Sequence, residues 1–433
     1  MKLSETLAIA FDIGTTTISA SLIDTGTGER LAHAGALNPQ REFGADVVLR
    51  LQAACESEAK LLRMSQLVGD ETLRLTHELL DRAGTDIRHI RGVAMAGNPA
   101  MEHLLLGLPV RSLAFPPHRP SFKDGITVST RRLGWESDTN AYIFPLPGGF
   151  VGGDLVAFLY GALGEGLNGS PFSPPGLPLT PANSLFLDLG TNAEIALSAE
   201  GRIFATSAAA GPAFEGGNLA CGMAALPGAI NRVVFTGDKI GFSVIGSGAP
   251  RGICGSAVID TVAGLIEAGV VDTTGRLLPM GEIPTNLGNR IAEIDGEPVF
   301  ILYMDSSRRI YLSQQDIREV QSAKAAIRAG IEILLRRADV PADQVQRVVL
   351  TGSFGSELCA SALKSIGILS EKMVHITGFV HEGVLAGIEK ALCLREGTGG
   401  LERFSRLIRV IPLSGTPAFE RLFIEQMNFP VIS

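Results

Sequence analysis

Two short segments of the chain carry residue types that together suit a phosphate group and a metal ion. In DIGTTT, Asp12 ends an apolar run and is followed by a glycine turn with three threonines. In DLGTNAE, Asp188 ends a second apolar run and is followed by a similar turn. Glycine lets backbone N–H groups approach a phosphate, and hydroxyl groups donate to its oxygens. The residues predicted to bind phosphate in this way are Gly14, Thr15, Thr16, Thr17, Gly190, Thr191 and Asn192.

The two aspartates have a different predicted task, because a carboxylate repels phosphate. At a strand end it can hold Mg²⁺ through water, and the ion then bridges to the phosphate oxygens. We therefore predict that Asp12 and Asp188 position one hydrated magnesium ion from the two sides of a cleft. One such segment alone is better explained as an ordinary turn, whereas two copies favour a paired site. No GxxxxGK[ST] occurs, and GSGAPRG at Gly246 lacks the spacing of GxGxxG.

Three further polar residues are candidates for catalysis. Asn98 and Glu102 in GNPAMEHLLLG follow a predicted strand, and either is placed to orient water or a hydroxyl nucleophile. Asn98 is equally a turn residue before Pro99, and Glu102 is equally the start of a helix. Glu215 in GPAFEGG is a third candidate, on the γ-phosphate side, or else a loop carboxylate without a role.

Composition excludes several classes of function. The chain has 433 residues, of which 45% are hydrophobic and 19% charged, which predicts two globular domains. A net charge of −8 without a basic run argues against nucleic acid as a partner. Five scattered cysteines without CxxC give no support to a zinc site or an iron–sulfur cluster. Charged residues interrupt every long apolar segment, so we expect a cytoplasmic protein without a membrane span or secretory signal.

The coarse organisation is two related α/β halves. The Pro-rich stretch 169–184 reads as a linker or long loop between a lobe at 1–168 and a lobe at 185–433. Strands are predicted at 92–96 and 347–351, and helical stretches at 45–83, 251–268 and 314–338. The last helix is the best defined, with Ser313 as its cap and Asp316 in its first turn. Its predicted buried face consists of Ile317, Val320, Ile327, Ile331 and Leu334.

DIGTTT, DLGTNAE and LTGSFG occur in the order found in the ATPase superfamily of acetate and sugar kinases, heat-shock chaperones and actin, which the chain resembles. The resemblance implies a two-lobed actin-like fold with duplicated ribonuclease-H-like domains. GGDLVAFLYGAL and EGVLAGIEKAL look like the connecting helices about which such lobes hinge. It further implies an adenosine pocket lined by Gly352, Ser353, Phe354 and Gly355. By similarity to the chaperones, a helix bearing Gln321 and Lys324 closes over adenine and ribose, although Lys324 fits a solvated helix face equally well.

Six further blocks resemble a narrower family, the reductive activators of corrinoid enzymes. They are NPQREFGADVVLRL, AMAGNPAMEHLLLG, GGFVGGDL, AAAGPAFEGGN, GICGSAVID and SQQDIREVQSAKAAI. This resemblance implies ATP and magnesium as cofactors, with ATP hydrolysis coupled to the return of cob(II)alamin to cob(I)alamin. The implied partner is a corrinoid protein or a corrinoid methyltransferase system.

The chain departs from that family at one point. Such activators typically carry an N-terminal ferredoxin-like domain with a two-iron two-sulfur cluster, whereas here DIGTTT begins about a dozen residues from Met1. We therefore expect no iron–sulfur cluster in this chain, and either an external ferredoxin as electron donor or a task without electron transfer. Two alternatives in the same superfamily stay open: a small-molecule kinase with Glu102 or Asp154 as base, and a chaperone-like regulatory ATPase. A homodimer is also left open.

Overall fold

The computed structural model describes residues 6–163, 183–352, 354, 358–393 and 398–431. The strands in these ranges are β1 Leu7–Ile13, β2 Thr17–Asp24, β3 Glu29–Leu37, β4 Ile90–Gly97, β5 Ile126–Ser129, β6 Asn140–Ile143, β7 Ser184–Asp188, β8 Asn192–Ala199, β9 Arg202–Ala209, β10 Ala229–Thr236, β11 Lys239–Val244, β12 Gly252–Ile253, β13 Ile291–Ile294, β14 Glu297–Met304, β15 Arg309–Ser313, β16 Arg347–Thr351, β17 Thr377–Phe379 and β18 Ile408–Val410. The α-helices are α1 Val47–Glu56, α2 Glu58–Ala83, α3 Pro99–Leu105, α4 Arg111–Ala114, α5 Gly153–Leu163, α6 Gly255–Glu267, α7 Gln314–Ala338, α8 Ala360–Ser365, α9 Glu371–Val374, α10 Gly383–Cys393, α11 Thr398–Ser405 and α12 Pro417–Glu425.

The chain forms two compact units that are not contiguous in sequence. The first comprises Met1–Pro181, Gly201–Ala205 and Glu382–Val410, and the second comprises Ala182–Glu200, Thr206–His381 and Ile411–Ser433. The bounds predicted from sequence order are 1–168 and 185–433. They differ from these units because residues 382–410 pack with the first unit and not with the second. Most of the predicted linker, residues 169–182, lies outside the described residues.

The first unit is built on a sheet with the strand order β3-β2-β1-β4-β6-β5. Its strand β1 reads LAIAFDI, and every residue is buried except Asp12, which is half-buried. The strand pairs antiparallel with β2 and parallel with β4, so both of its edges are hydrogen-bonded. A near-continuous apolar run is typical of a strand covered on both faces. Asp12 is therefore placed at the carboxyl end of the central strand.

A sheet centred on β7 repeats this arrangement in the second unit. Its strands β17, β16, β7 and β8 are neighbours in that order, with β7 antiparallel to β8 and parallel to β16. Asp188 ends β7 just as Asp12 lies near the end of β1. The repetition agrees with the duplicated domain expected from the two hairpin motifs. Two small three-stranded sheets, β11-β10-β12 and β13-β14-β15, also form in the chain, and the sequence analysis did not predict them.

The helix and strand predictions hold with local differences. Helix α7 has the predicted bounds, and Ser313 and Asp316 form a capping box at its start. Its five predicted core residues are all buried. Strand β16 coincides with the prediction, and β4 extends the predicted strand at both ends. The predicted helix 45–83 is two helices, because Ser57 adopts an extended conformation between α1 and α2.

The two small-residue helices α5 and α10 pack closely against each other inside the first unit. A Cβ atom at Gly387 would lie 1.9 Å from the carbonyl oxygen of Ala157, so only glycine fits at this crossing. The ammonium of Lys390 donates to the carbonyl of Gly161 at 3.1 Å. Close packing explains the small residues, and the hinge motion expected of these helices stays a prediction. No described helix is long and apolar enough to span a membrane.

Candidate functional site

The first candidate phosphate hairpin joins β1 to β2 in the first unit. A Cβ atom at Gly14 would lie 2.6 Å from the backbone oxygen of Thr17, so the turn accepts only glycine there. Asp12 lies beside Ser19 on β2 and beside Ala96 on β4. Asp12, the glycine turn and the threonines of DIGTTT thus lie at one β-hairpin, and their binding of phosphate and metal stays a prediction.

Asn98 lies next to this hairpin, at the junction of β4 and α3. It is the N-cap of α3, where its Oδ1 accepts a hydrogen bond from the backbone N–H of Met101 at 3.1 Å. Its Nδ2 donates to Oγ1 of Thr15 at 3.0 Å. The two interpretations of Asn98 as a turn residue and as a site residue are therefore compatible, since one amide makes both contacts.

Glu102 is fully buried one turn into α3. Its Oε1 accepts from the backbone N–H of Gly97 at 3.2 Å, while Oε2 has no hydrogen-bond partner among the described residues. A Cβ atom at Gly153 would lie 2.3 Å from Oε1, so the glycine of the GGD sequence makes room for this carboxyl group. Burial, and then the negative charge of Asp154, raise the pKa of Glu102 well above its ordinary value.

Asp154 is the second carboxyl group of this pair and lies in the first turn of α5. Its Oδ1 accepts from the backbone N–H of Leu155 at 2.7 Å. Burial raises the pKa of Asp154 to about 6, and the backbone hydrogen bonds oppose that rise only in part. Burial therefore raises the pKa of both carboxyl groups, and it favours the neutral acid most at Glu102, which also faces the negative charge of Asp154.

The second candidate phosphate hairpin joins β7 to β8 in the second unit. The hydroxyl of Thr191 donates to Oε2 of Glu215 at 2.6 Å. A Cβ atom at Gly190 would lie 3.0 Å from Oε1 of the same carboxylate. The carbonyl of Thr191 accepts from the backbone N–H of Gly211 at 2.9 Å. Glu215, which the sequence offers only as one of several candidates, is therefore held directly at the turn.

Glu194 belongs to this hairpin as well, although the sequence analysis gave it no role. It lies opposite Asp188 in the β7–β8 register and accepts from the hydroxyl of Ser207 at 3.2 Å. Directly opposed residues of an antiparallel pair place their side chains on the same face of the sheet. Glu194 is the last residue of the DLGTNAE motif, but only the strand register shows that its carboxylate and that of Asp188 are neighbours.

The segment predicted to contact adenosine begins beside the second hairpin. Thr351 of β16 lies next to Asp188 in the parallel register, and its carbonyl accepts from the backbone N–H of Leu189 at 3.0 Å. Gly352 has a φ of +142°, and a Cβ atom there would lie 2.5 Å from the carbonyl of Leu189. The ring of Phe354 lies 6.4 Å from that of Phe379. Ser353 and Gly355 lie outside the described residues.

Gln321 and Lys324 on α7 both contact other segments of the second unit. Gln321 donates to the carbonyl of Thr274 at 3.0 Å. Lys324 is 1% exposed, donates to the carbonyl of Asn428 at 2.5 Å and lies 5.4 Å from the centre of the Phe429 ring. Lys324 is therefore not a solvated surface residue. Its assignment to adenine and ribose stays a prediction.

The residues at the two hairpins fit a hydrated Mg²⁺ better than a directly caged ion. Among the described residues, no group of three or more His, Cys, Asp and Glu side chains lies close enough to hold a metal ion. Each hairpin offers a half-buried carboxylate beside hydroxyls and a glycine turn. Mg²⁺ in proteins commonly keeps several waters and takes one or two carboxylates together with phosphate oxygens.

The chain is similar along nearly its whole length to corrinoid-activating proteins. It is 29% identical over 429 residues to the corrinoid activation enzyme RamQ of Eubacterium limosum, covering 97% of this chain and 70% of that protein. It is 24% identical over 398 residues to the [Co(II) methylated amine-specific corrinoid protein] reductase of Methanosarcina barkeri, covering 83% of this chain and 65% of that protein. The predicted homology to reductive activators is confirmed.

A solved structure of a reductive activator for corrinoid, iron-sulfur protein has the same fold. It matches with a TM-score of 0.87 at 29% identity, covering 99% of this chain and 67% of that chain. The predicted actin-like ATPase fold is thereby confirmed.

Two family models match the chain. One, described as the RACo middle region, matches residues 7–163. The other, described as the C-terminal domain of RACo, the ASKHA domain, matches residues 182–433. ASKHA denotes the superfamily of acetate and sugar kinases, heat-shock chaperones and actin, and it indicates nucleotide binding. Because the second model alone matches more than half of the residues, this chain belongs to the RACo family.

Proposed function

We propose that this chain binds ATP with Mg²⁺ and couples ATP hydrolysis to the reductive activation of a corrinoid protein. The observation that carries this proposal is the homology to a corrinoid activation enzyme over 97% of the chain. The two glycine hairpins, at equivalent places in two sheets, support the nucleotide part. The product of activation would be cob(I)alamin, and the single electron would come from an external reduced ferredoxin.

The first hairpin would bind phosphate oxygens through its backbone N–H groups and through Thr15, Thr16 and Thr17. In the second hairpin, Gly190, Thr191 and Asn192 would do the same. Asp12 and Asp188 would each hold water molecules of the hydrated ion. Bound Mg²⁺ supplies positive charge that stabilises the charge developing on the phosphate oxygens during hydrolysis. A cation would also offset the repulsion between Asp188 and its neighbour Glu194.

Among the candidate catalytic residues, Glu215 is the one we propose to orient the attacking water. It lies at the second hairpin and accepts from Thr191. Glu102 is less suited to act as a base, because burial raises its pKa well above the ordinary value and a protonated carboxyl cannot accept a proton. A small-molecule kinase would then need Asp154 as its base, and we rank it below the activator because of the homology to a corrinoid activation enzyme over 97% of the chain.

The coupling would operate through differential binding. If a corrinoid partner binds one nucleotide state of the chain more tightly than another, hydrolysis to ADP and phosphate shifts the population of the complex. We propose that binding favours loss of an axial cobalt ligand, after which transfer of one electron from ferredoxin to Co(II) becomes easier.

The test uses the purified chain, ATP, Mg²⁺, reduced ferredoxin and a corrinoid protein in the cob(II)alamin form. We expect the cob(I)alamin absorption spectrum to appear only when hydrolysable ATP and the chain are both present. A non-hydrolysable ATP analogue is the control. If ATP has no effect with a reductant that is competent in a known activating system, the redox part of the proposal is wrong.

A further inference from the structure

Two Asn-Pro pairs of the first unit have the same local structure. Asn38 precedes a 3₁₀ turn at Pro39–Phe43, and Asn98 precedes α3 at Pro99–Leu105. Each asparagine is an N-cap whose Oδ1 accepts from a backbone N–H, that of Gln40 at 2.9 Å and that of Met101 at 3.1 Å. Proline at the first position of a helix costs nothing, because its missing N–H would have no partner there.

These caps fix the orientation of both side-chain amides. A backbone N–H can only donate, so the amide oxygen must face it and the NH₂ group must point away. In both cases the NH₂ group then reaches the first phosphate hairpin. Asn38 donates to the carbonyl of Gly14 at 2.8 Å, and Asn98 donates to Oγ1 of Thr15 at 3.0 Å. Asn38 is fully buried and Asn98 is 7% exposed, so water does not readily replace either contact.

The contact with Asn98 decides how the Thr15 hydroxyl can be used. A hydroxyl has one proton to donate, and the Asn98 amide already donates to its oxygen. Among the described residues, no acceptor takes the Thr15 proton. The hydroxyl is therefore left as a donor for a group outside the chain.

We propose that Asn38 and Asn98 are positioning residues for the first phosphate hairpin, and that Asn98 makes the Thr15 hydroxyl a donor to a bound phosphate group. Asn38 holds the Gly14 carbonyl, which keeps the glycine turn in place. The identity of the phosphate as part of ATP rests on the proposed function, whereas the positioning contacts do not.

The first test is the substitution Asn98→Asp in the full chain. The new carboxylate keeps an oxygen for the N–H of Met101 but removes the NH₂ group, so the Thr15 hydroxyl donates to the carboxylate and not to the ligand. Loss of a hydrogen bond to a charged group corresponds to an affinity for ATP·Mg²⁺ about tenfold to a hundredfold weaker, measured by isothermal titration calorimetry. The control is Asn140→Asp, the same chemical change at an exposed position where β6 begins. Because β6 runs parallel to β4 and β1, this position is at the opposite end of the strands from the hairpin. The control should leave the affinity unchanged.

A double-mutant cycle separates positioning from simple charge repulsion. Thr15→Val removes the hydroxyl at nearly constant volume and should weaken binding by a similar factor. If Asn98 acts through Thr15, Asn98→Asp causes no further loss in the Thr15→Val background. If the loss in that background equals the loss in the wild-type chain, the carboxylate acts directly on the ligand and the proposal is overturned. If Asn98→Asp does not fold, the comparison is between Thr15→Ser, which keeps the hydroxyl, and Thr15→Val, which removes it. Thr15→Ser should then keep the ATP·Mg²⁺ affinity that Thr15→Val loses. Equal loss of affinity in both variants would refute the hydroxyl as a donor.

A second readout does not depend on nucleotide binding. Hydrogen exchange of the segment containing residues 13–18 should become faster in Asn38→Asp and in Asn98→Asp than in the wild-type chain. If the wild-type chain binds no ATP·Mg²⁺, the proposed function fails while faster exchange still supports the positioning role. Unchanged exchange in both variants overturns the positioning role, whether or not ATP binds.

Discussion

At the scale of single residues, Glu102 illustrates a carboxyl group placed by packing. One oxygen accepts from Gly97, the other has no hydrogen-bond partner among the described residues, and Gly153 leaves space for the group. An ionised carboxylate in such a place would be strongly destabilising, whereas the neutral acid is tolerated. Burial at this position therefore favours the neutral form of Glu102.

The raised pKa of Glu102 predicts that the folded protein loses stability as the pH rises. The reason is that the folded state favours the neutral acid, which a higher pH disfavours. The pKa of Glu102 is raised in the folded state, so the folded state binds more protons than the unfolded one above about pH 4.5. The free energy of unfolding should fall as the pH rises from there towards the folded pKa, by about 1.4 kcal/mol for each pKa unit of the shift.

The variant Glu102→Gln should have a flatter pH profile than the wild-type chain above about pH 6 in urea unfolding. Asp154, with a pKa of about 6, contributes mainly below that pH. Glu136→Gln, at an exposed position of the same unit, is the control and should follow the wild-type profile. A Glu102→Gln profile as steep as the wild-type profile would show that Glu102 is not the titrating group.

Gly14 gives a second prediction at this scale. In Gly14→Ala the new Cβ would lie 2.6 Å from a backbone oxygen, so the turn must open. We expect a loss of about 1–3 kcal/mol in the free energy of unfolding and ATP·Mg²⁺ binding at least about tenfold weaker. Gly92→Ala is the matched control, because a Cβ at Gly92 meets nothing within 4 Å. Equal ATP affinity of the two variants would count against a phosphate turn at Gly14.

Residue types and spacing were enough to predict the hairpin that contains Asp12 and Gly14, since a glycine turn is a local feature, and its binding of phosphate stays a prediction. Asn38 and Glu194 were not identified, although both stand in motifs that the sequence analysis quotes. The role of Asn38 depends on a contact with Gly14, 24 positions away, and that of Glu194 on the strand register. Neither kind of information is present in a single local segment.

At the scale of elements, α7 is joined to the end of the second unit through Lys324. The ammonium has one carbonyl acceptor, that of Asn428, and lies near the ring of Phe429. The backbone N–H of Phe429 in turn donates to the carbonyl of Thr273 at 2.8 Å. Burial, and then the nearby charge of Arg328, lower the pKa of Lys324 to about 8.

This lysine predicts a rise in stability at alkaline pH. Between pH 8 and 10.5 the unfolded chain binds the proton and the folded chain releases it, so the free energy of unfolding should increase with pH. The expected rise is at most about 3 kcal/mol, from about 1.4 kcal/mol per pKa unit. Lys324→Met should abolish it in urea unfolding, whereas Lys372→Met, whose side chain is 70% exposed, should not. A persistent rise in Lys324→Met would assign the effect to another group.

Element bounds were predictable where local signals agree. Helix α7 has a capping box, a regular apolar face and a defined end, and its bounds follow from them. The break at Ser57 was not predicted, because the apolar periodicity continues on both sides of it. The two small sheets were missed because their strands are partly exposed, which weakens the alternation on which a strand prediction depends.

At the scale of the whole molecule, the first unit contains residues 382–410, which follow most of the second unit in sequence. Helix α10 buries Val384, Leu385 and Ile388 within that unit. On β3, Arg30 forms ion pairs with Glu382 at 2.5 Å and with Glu389 at 2.7 Å. The repeated hairpin predicts two halves, but it contains no information about the packing of residues 382–410 with the first unit, because that is a property of the tertiary structure.

The packing of residues 382–410 with the first unit predicts how fragments of the chain behave. Residues 1–163 alone lack α10 and should expose the apolar surface of α5, so we expect no cooperative thermal transition by circular dichroism. Joining residues 382–410 to this fragment through a flexible linker should restore a cooperative transition. The matched control joins 382–410 with Leu385 and Ile388 changed to Asp, which should not restore it. A cooperative transition in 1–163 alone would contradict the prediction.

The late position of α10 also bears on synthesis at the ribosome. Domains generally fold from the N-terminus as the chain emerges. Here the closing helix α10 of the first unit is translated about 220 residues after α5, from position 163 to position 383. The apolar helix α5 is therefore translated before its partner α10, and its packing surface stays uncovered while the intervening residues are made. Chaperones that bind nascent chains would protect α5 during this time.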